Sequence, residues 1–393
     1  MDANISKQVQ SIIEDIKKNG DLSVIKYVKK FDGISFSSVK QMQVSKEQFA
    51  FADKNVDKKL KKSILSSCKN ILAFHKKENS NIKKSWLLSD KIKTVGQIYN
   101  PIESVAIYVP GGKYSYPSSV LMSAIPAKVA GVQRIVMITP PKKMTNEVIF
   151  TADLCGIKEI YSIGGPVAIA TLAYGTKTVK PVNMIVGPGN AYVNEAKRLV
   201  FGKVGIDSLA GPSEVAIIAD ENADINYIYC DIMAQVEHDA MAKAYVFCQS
   251  VQMVSKIKSM IDKQYLKQVQ ITKTTIEDAV KIVNIIAPEH LELLVKDAKK
   301  IVKYIKNAGA IFVGYNTPTA IGDYWAGPSH VLPTNASARY SSGLSVMTFL
   351  KRTSYIELKN TDKTLLNQIA DFAQAEGLVN HKKSIEVRYI KCK

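Results

Sequence analysis

The chain has 393 residues, of which 46% are hydrophobic and 22% are charged, a composition typical of a folded globular protein. This balance excludes an intrinsically disordered chain, a collagen and a small disulfide-rich scaffold. The 53 Lys and Arg residues outnumber the 35 Asp and Glu residues, so the net charge is +18 and nucleic-acid binding has to be considered.

The basic residues themselves argue against nucleic acid as a partner. Only five of them are arginines and 48 are lysines, whereas bidentate contacts to bases and phosphates favour arginine. The lysines are spread along helical stretches such as 17–30 and 57–63, and aromatic side chains do not alternate with them to form a platform on which bases could stack. We therefore predict a solvated lysine surface and no nucleic-acid partner.

The sequence shows no sign of export or membrane insertion. It contains no run of about 18 apolar residues that would span a bilayer. Its start, MDANISKQVQ, lacks the basic and apolar regions of a signal peptide. The five cysteines are widely spaced without a C-x-x-C pair, which predicts reduced thiols. These features predict a cytoplasmic protein with no membrane partner.

Residues 3 to about 100 are predicted to be mostly helical, because apolar side chains recur at spacings of three and four, as at Val9, Ile12, Ile13 and Ile16. From Ser104 onwards, short apolar runs alternate with helical segments, which is typical of βαβ units and a parallel sheet. The predicted strands lie within 104–110, 134–140, 159–164, 182–187, 215–220, 244–248, 290–295 and 310–314. After about residue 345 the pattern is helical and polar again.

This alternation predicts the α/β fold class, with two Rossmann-like domains built on parallel sheets. Three of the predicted strands end in glycine turns, at 109–112, 163–166 and 186–190. None of the three turns is the G-x-G-x-x-G fingerprint of dinucleotide binding. If they open on the same edge of one sheet, they would form a cleft for an extended, partly anionic ligand.

Four of the five histidines lie beside a carboxylate or an amide. The pairs are Gln235 with His238, Glu289 with His290, Asp323 with His330, and Glu376 with His381. The first pair is three residues apart in a helical pattern, so both side chains would project from one face. Nitrogen and oxygen donors of these types suit zinc, and a carboxylate beside an imidazole offers two proton acceptors. From the pattern alone, a solvated polar face remains an alternative to a metal site.

Long motifs in a fixed order make the chain resemble the histidinol dehydrogenases. They are IVGPGNAYVNEAKRLVFGKVGIDSLAGPSE (185–214), MAQVEHD (233–239), IIAPEHLEL (285–293), GDYWAGPSHVLPT (322–334) and AEGLVNHKKSIEVR (375–388). With the glycine-rich stretch around 107–132, the resemblance covers nearly the whole chain. It implies an NAD-dependent, zinc-containing enzyme that oxidises L-histidinol through L-histidinal to L-histidine, the last step of histidine biosynthesis.

The resemblance also implies a role for individual residues. The implied zinc ligands are Gln235, His238, Asp323 and His381. The implied catalytic pair is Glu289 and His290, with His290 as the base for the alcohol and Glu289 as the group that activates water. The implied substrate contacts are Ser213, His330 and Glu376, together with His290 and the four zinc ligands. The implied NAD contacts are Tyr108 and Asn190. Family members often carry Gln where this chain has Val167, so that NAD contact is not expected here.

The implied architecture has one domain inserted in another. A discontinuous domain of residues 1–107 and 215–344 would carry most metal and catalytic residues, and residues 108–214 would form the inserted NAD-binding domain. Residues 345–393 would form a small helical extension. The implied assembly is an intertwined homodimer. A zinc-dependent hydrolase on a related α/β scaffold is the alternative function.

Overall fold

The computed structural model describes residues 3–82, 85–111, 115–237, 239–359 and 362–390. Packing divides the chain into two units, Met1–Asn79 with Ile102–Phe349, and Ser80–Pro101 with Leu350–Lys393. The first unit contains two five-stranded parallel sheets, and the second contains a three-stranded antiparallel sheet. None of the helices in the described ranges is long and apolar enough to cross a membrane.

The strands follow one another along the chain in three groups. Their bounds are β1 Trp86–Ser89, β2 Lys93–Pro101, β3 Ser104–Tyr108, β4 Arg134–Thr139, β5 Glu159–Ser162, β6 Met184–Val186, β7 Gly205–Ile206, β8 Glu214–Ala219, β9 Lys243–Cys248, β10 Val269–Lys273, β11 His290–Leu294, β12 Ala310–Val313 and β13 Leu350–Leu358. The sheet orders are β5-β4-β3-β6-β7, β10-β9-β8-β11-β12 and β1-β2-β13.

The α-helices connect these strands or precede and follow them. Their bounds are α1 Ala3–Asn19, α2 Asp21–Asp32, α3 Lys46–Asn55, α4 Lys58–Asn81, α5 Pro117–Ala130, α6 Asn146–Leu154, α7 Gly165–Tyr174, α8 Ala191–Val200, α9 Ile225–Val236, α10 Val251–Met260, α11 Ile276–Ile286, α12 Ala298–Ile301, α13 Thr319–Tyr324, α14 Lys363–Ala375 and α15 Val379–Ile390.

Helices bury both faces of the first sheet. Successive side chains of each strand point to opposite faces and so contact different helices. In β3, Ala106 and Tyr108 pack towards α1, α2, α7 and α8. Val105 and Ile107 of the same strand pack towards α3, α4, α5 and α6. The strands are therefore apolar on both sides, as expected for a buried parallel sheet.

The second sheet is built in the same way. In β8, Val215 and Ile217 pack towards α9 and α10, whereas Ala216 and Ile218 pack towards α11 and α12. In this sheet β9 and β10 follow on one side of β8, whereas β11 and β12 lie on its other side. The strand order therefore reverses between β8 and β11. In both sheets, predicted site residues lie on or close to the two strands at such a reversal.

The structure confirms the predicted α/β class with two parallel sheets, and it contains every predicted strand. Five strands were not predicted: the edge strands β7 and β10 of the two parallel sheets, and three strands outside these sheets. β1 and β2 lie where residues 3 to about 100 were expected to be mostly helical, and β13 lies in the 345–393 segment that was predicted to be helical, ahead of α14 and α15. Helices α1–α4 cover the first sheet, and the predicted domain boundaries stay a prediction.

Candidate active site

Glu289 and His290 lie side by side at the amino end of β11, a strand that pairs with β8 and β12. A sharp backbone turn between α11 and β11 places them there. α11 ends at Ile286, and Ala287 adopts a left-handed conformation with φ 52°, followed by Pro288. Both functional side chains are only 6% exposed. The core of the second sheet therefore holds an acid and an imidazole away from solvent.

The Glu289 carboxyl group is held by the first residues of β8. The backbone N–H of Glu214 donates to Glu289 Oε2 at 3.1 Å, and the Ser213 side chain also hydrogen-bonds to this carboxyl group. Burial raises the pKa of Glu289 to about 8, and the negative charges of Asp323 and Glu214 act in the same direction. A carboxyl group with this pKa exchanges its proton near neutral pH, as a general acid or base must.

His290 lies between two carboxyl groups. Its Nδ1 is 3.7 Å from Glu289 Oε2, and its Nε2 is 3.9 Å from Asp323 Oδ1. Asp323 comes from α13, a helix of six residues, and the Phe312 ring lies 5.8 Å from the imidazole ring. Either carboxylate would stabilise the imidazolium that forms when His290 accepts a proton.

His330 joins the same cluster from the loop after α13. Its Nδ1 is 3.1 Å from the backbone oxygen of Asp323 and 4.0 Å from Asp323 Oδ1. Its Nε2 is 3.2 Å from the Ser119 hydroxyl of α5, a helix that packs on the first sheet. The predicted residues Glu289, His290, Asp323, His330 and Ser213 thus form one connected group in the first unit.

Gln235 is the predicted zinc ligand that the structure places on α9. Its side chain is 3% exposed, and its Nε2 has no hydrogen-bond partner within the described part of the chain. Burying an unpaired amide costs free energy, so the position is unfavourable without a ligand. α9 packs against α13, the helix that carries Asp323.

For the other two predicted zinc ligands, His238 and His381, the described residues define no common site with Gln235 and Asp323. His238 lies outside these residues, and His381 belongs to the second unit. Within the described ranges, no three His, Cys, Asp or Glu side chains come together as a possible ion site. Of the four predicted zinc ligands, only Gln235 and Asp323 lie in the described part of the first unit. Gln235 is not one of these His, Cys, Asp or Glu side chains. The four-residue shell therefore stays a prediction.

Glu376 and His381 lie in the second unit, next to the turn between α14 and α15. Both are exposed. They line one open hollow of about 450 Å³ together with apolar side chains that include Phe372 and Leu378. The hollow thus combines a carboxylate and an imidazole with an apolar wall, and both polar groups are accessible to a ligand.

The predicted NAD contacts lie at the carboxyl edge of the first sheet. Tyr108 ends β3, is 3% exposed, and accepts a hydrogen bond at 3.2 Å from the backbone N–H of Gly165. Burial raises its pKa to about 12, so the hydroxyl stays neutral. Asn190 is exposed and caps α8, since its Oδ1 accepts from Tyr192 N and Val193 N, each at 3.1 Å. The three glycine turns follow strands of this one sheet, although Gly112 lies outside the described residues.

Sequence reasoning did not single out two residues of the cluster. Ser119 positions His330, and Glu214 holds Glu289 through its backbone while its own carboxyl group accepts from Asn335 N at 3.0 Å. Both lie inside motifs that carry the resemblance. Nothing in their residue type or spacing marked them, because their partners are 211 and 75 residues away along the chain.

Comparisons with known proteins point to one family. The family model described as "Histidinol dehydrogenase" matches residues 1–389. Histidinol dehydrogenases of Thermosynechococcus vestitus and Bacillus subtilis are each 43% identical to this chain over 401 residues, covering 97% of it and 92% of the relative. A crystal structure of histidinol dehydrogenase from Elizabethkingia anophelis matches with a TM-score of 0.91 and 31% identity, covering 100% of this chain and 94% of the other.

Proposed function

The chain belongs to the histidinol dehydrogenase family of oxidoreductases, and we propose that it oxidises L-histidinol through L-histidinal to L-histidine with NAD and zinc. The observation that carries this proposal is the buried Glu289–His290 pair with Asp323 in reach. A four-electron oxidation of an alcohol needs a base for the alcohol proton and a base for water, and this pair provides both. The relatives do not support the alternative of a zinc-dependent hydrolase.

The proposed zinc ligands are Gln235, His238, Asp323 and His381. The residues present fit such an ion, because carboxylate and imidazole donors are common at zinc sites. A glutamine coordinates through its amide oxygen, and a half-turn of the Gln235 amide would put that oxygen in the buried position where Nε2 lacks a partner among the described residues. A bound zinc ion would orient the imidazole and amine of histidinol. Asp323 would then have two roles, as a ligand and as a charge beside His290.

The first oxidation requires removal of the alcohol proton. We assign this to His290, which is flanked by the carboxyl groups of Glu289 and Asp323 at 3.7 and 3.9 Å. The negative charge of Asp323 favours the protonated imidazole, so His290 can hold the proton as the aldehyde forms. NAD would accept one hydride in this oxidation and a second NAD would accept one in the next.

The second oxidation requires addition of water to the aldehyde. We assign activation of that water to Glu289, whose raised pKa makes it a stronger base than an ordinary carboxylate once it is ionised. Ser213 and the Glu214 N–H fix its orientation. Ser213, His330 and Glu376 are the proposed further contacts to histidinol, and Tyr108 and Asn190 are the proposed contacts to NAD.

The proposed working form is an intertwined homodimer in the cytoplasm, whose partner is the small-molecule substrate and not a nucleic acid or a membrane. The terminal segment of each chain would reach the partner's active site. This proposal is supported by family membership, which covers the terminal segment with His381. Because Glu376 and His381 are exposed in the isolated chain, they are available to a second copy.

The defining experiment measures NADH formation from histidinol in protein with known metal content. We expect two NADH per histidinol, loss of activity with a chelator, and recovery on adding zinc. Full activity in demonstrably metal-free protein would remove zinc from the proposal. No NADH from histidinol in zinc-loaded protein would remove the reaction itself.

A further inference from the structure

Lys197 of α8 is a lysine whose side chain is only 1% exposed, and it is among the largest fully buried side chains in the described part of the chain. Its ammonium group forms an ion pair with Asp207, whose side chain is 5% exposed. The same ammonium group donates to the backbone oxygen of Gly187 at 3.0 Å. The other carboxylate oxygen of Asp207 accepts from the backbone N–H of Gly187 at 2.8 Å. The Lys197–Asp207 pair therefore hydrogen-bonds both the backbone N–H and the backbone C=O of Gly187.

Gly187 is the first residue after β6, where pairing within the sheet stops. The ladder between β6 and β7 ends at Ile185 and Ile206, so Gly187 has no partner there for its backbone. Asp207, the next residue after β7, supplies that partner through its side chain. Buried backbone groups are almost always hydrogen-bonded, so this contact replaces a missing ladder bond.

The geometry at Gly187 allows no other residue. Its φ is +113°, and a Cβ atom there would lie 2.2 Å from the backbone oxygen of Tyr108. Gly187 thus packs directly against Tyr108, one proposed NAD contact, and it begins the turn that leads to Asn190, the other. A shift of the Gly187 backbone would displace both contacts.

α8 also holds the far end of this turn. The Asn194 amide donates to the backbone oxygens of Gly189 and Ala210 at 2.9 and 2.8 Å, and its oxygen accepts from Ala210 N at 3.2 Å. Asn194 and Lys197 are three residues apart and lie on one face of the helix. One face of α8 therefore holds residues 187–189 on one side and residues 207–210 on the other.

Stability alone does not account for the buried ion pair. Desolvating two charges costs several kcal/mol, and apolar residues of similar volume are often at least as stable in such a place. What apolar residues cannot do is hydrogen-bond both the N–H and the C=O of Gly187. The charges are therefore best explained by the backbone that they hold.

We propose that Lys197 and Asp207 are positioning residues for cofactor binding, which fix Gly187–Asn190 in the conformation that receives NAD. This inference rests on the proposed function, because it takes Tyr108 and Asn190 as cofactor contacts. It adds two residues that do not themselves touch NAD. They act through the backbone of the turn.

The test replaces the charged pair by neutral residues of similar size, Lys197→Met with Asp207→Asn. The double variant avoids leaving one buried charge unpaired, which is the most destabilising outcome for a single replacement. The matched control is a second double variant, Glu195→Gln with Arg198→Met, which neutralises the 2.7 Å ion pair between Arg198 and Glu195 on the same helix and likewise leaves no buried charge unpaired. Thermal unfolding and circular dichroism establish that both variants fold.

Two measurements report on the turn. Hydrogen exchange of residues 186–190 in cofactor-free protein should be about ten-fold faster in the double variant of Lys197 and Asp207, since two of the hydrogen bonds to Gly187 are lost or weakened. Direct titration should give a dissociation constant for NADH about ten-fold higher than that of the wild type, as expected for the loss of one or two hydrogen bonds. The KM for histidinol should change less than two-fold. The Glu195→Gln and Arg198→Met double variant should behave as the wild type in both measurements.

The outcomes separate the inference from the function on which it rests. If the wild-type protein binds no NADH and does not turn over histidinol, the proposed function fails. If the wild type does both and the folded double variant of Lys197 and Asp207 has unchanged exchange and unchanged NADH affinity, the positioning role is wrong. Equal losses of NADH and histidinol affinity would also overturn it, because they would indicate a general structural defect.

Discussion

Glu289 acquires its chemistry from the place where β11 begins. A carboxyl group that is 6% exposed, with two further carboxyl groups nearby, keeps its proton to higher pH than one in water. His290 is adjacent in sequence but lies between two carboxyl groups. Neighbouring residues can therefore serve the two half-reactions differently.

Replacement of each member of the pair should separate the two half-reactions. In Glu289→Gln the shape is kept and the base for water is lost, so oxidation of histidinal should fall roughly 10²- to 10⁴-fold. Oxidation of histidinol to the aldehyde should suffer less, and His290→Ala should show the reverse order. Supplying the aldehyde allows each half to be assayed alone. Equal losses in both halves for both variants would contradict the separate assignments.

The raised pKa of Glu289 also predicts how stability depends on pH. In the metal-free native protein this group keeps a proton up to about pH 8, whereas the ordinary pKa of a glutamate side chain is 4.5. Protonated Glu289 therefore contributes stability that is lost as pH rises towards and through 8. Between pH 6 and pH 9 the free energy of unfolding should fall by roughly 3 kcal/mol through this group.

Urea unfolding at these two pH values provides the measurement, with Glu289→Gln as the comparison. The variant cannot ionise at this position, so its loss of stability over the same interval should be smaller. An equal pH dependence in wild type and variant would mean that Glu289 titrates near its ordinary value.

At the scale of residues, the sequence predicted most of the cluster but not its geometry. The motif at 285–293 marked Glu289 and His290, and the loop motif marked Asp323 and His330. Ser119 and Glu214 escaped because a hydrogen bond between residues 211 or 75 positions apart leaves no periodic signal. Their roles require the two sheets to be in place.

Single elements explain which parts of the fold could be predicted. The buried parallel strands are continuous apolar runs between glycine and proline turns, and this signal is strong. β1, β2 and β13 lack it, because β1 and β13 have no buried residue and only Thr94 and Gly96 of β2 are buried. β13 pairs with β2 across more than 250 residues, and such a partner cannot be inferred from local pattern.

α7 provides a prediction at this scale. Family resemblance suggests that Gln in place of Val167 would add an NAD contact, but Val167 is 1% exposed and packs in the core between the first sheet and its helices. In Val167→Gln the amide would be buried, at a cost of about 1–3 kcal/mol if it stays unpaired. We therefore expect a lower unfolding temperature and no decrease in the KM for NAD.

Val167→Leu is the matched control, because it changes volume without adding a polar group. Thermal unfolding and initial rates at varied NAD test both variants. A decrease in the KM for NAD at unchanged stability would show that the Gln side chain reaches the cofactor, and the packing argument would then be wrong.

In the two parallel sheets of the first unit, the proposed functional residues lie at opposite ends of the strands. The proposed NAD residues follow the carboxyl ends of β3 and β6, as is usual for open α/β sheets. Glu289 and His290 instead lie at the amino end of β11, beside the amino end of β8. Residues 207–213 connect the two sites directly, since Asp207 holds Gly187 and Ser213 holds Glu289. The length and alternation of the sequence indicated two sheets, but not which ends would carry the chemistry.

The assembly of the whole molecule gives the last prediction, that His381 completes the zinc site of the partner chain. Homodimers of Asp323→Ala and of His381→Ala should each be nearly inactive, because every site lacks one ligand. In a mixed dimer with shared ligands, one site lacks both residues and the other has both, since the Asp323→Ala chain still donates His381. Activity should then return to about half of the wild-type value per dimer, as two-fold symmetric exchange of segments requires.

Co-expression of the two variants with different tags, followed by two-step affinity purification, isolates the mixed dimer. Zinc content gives a second readout, because one of its two sites should be intact and the other should lack two ligands. If His381 served its own chain, each site of the mixed dimer would still lack one ligand and no activity would return. Absence of recovery in a dimer shown to be mixed would therefore exclude exchange of the terminal segments.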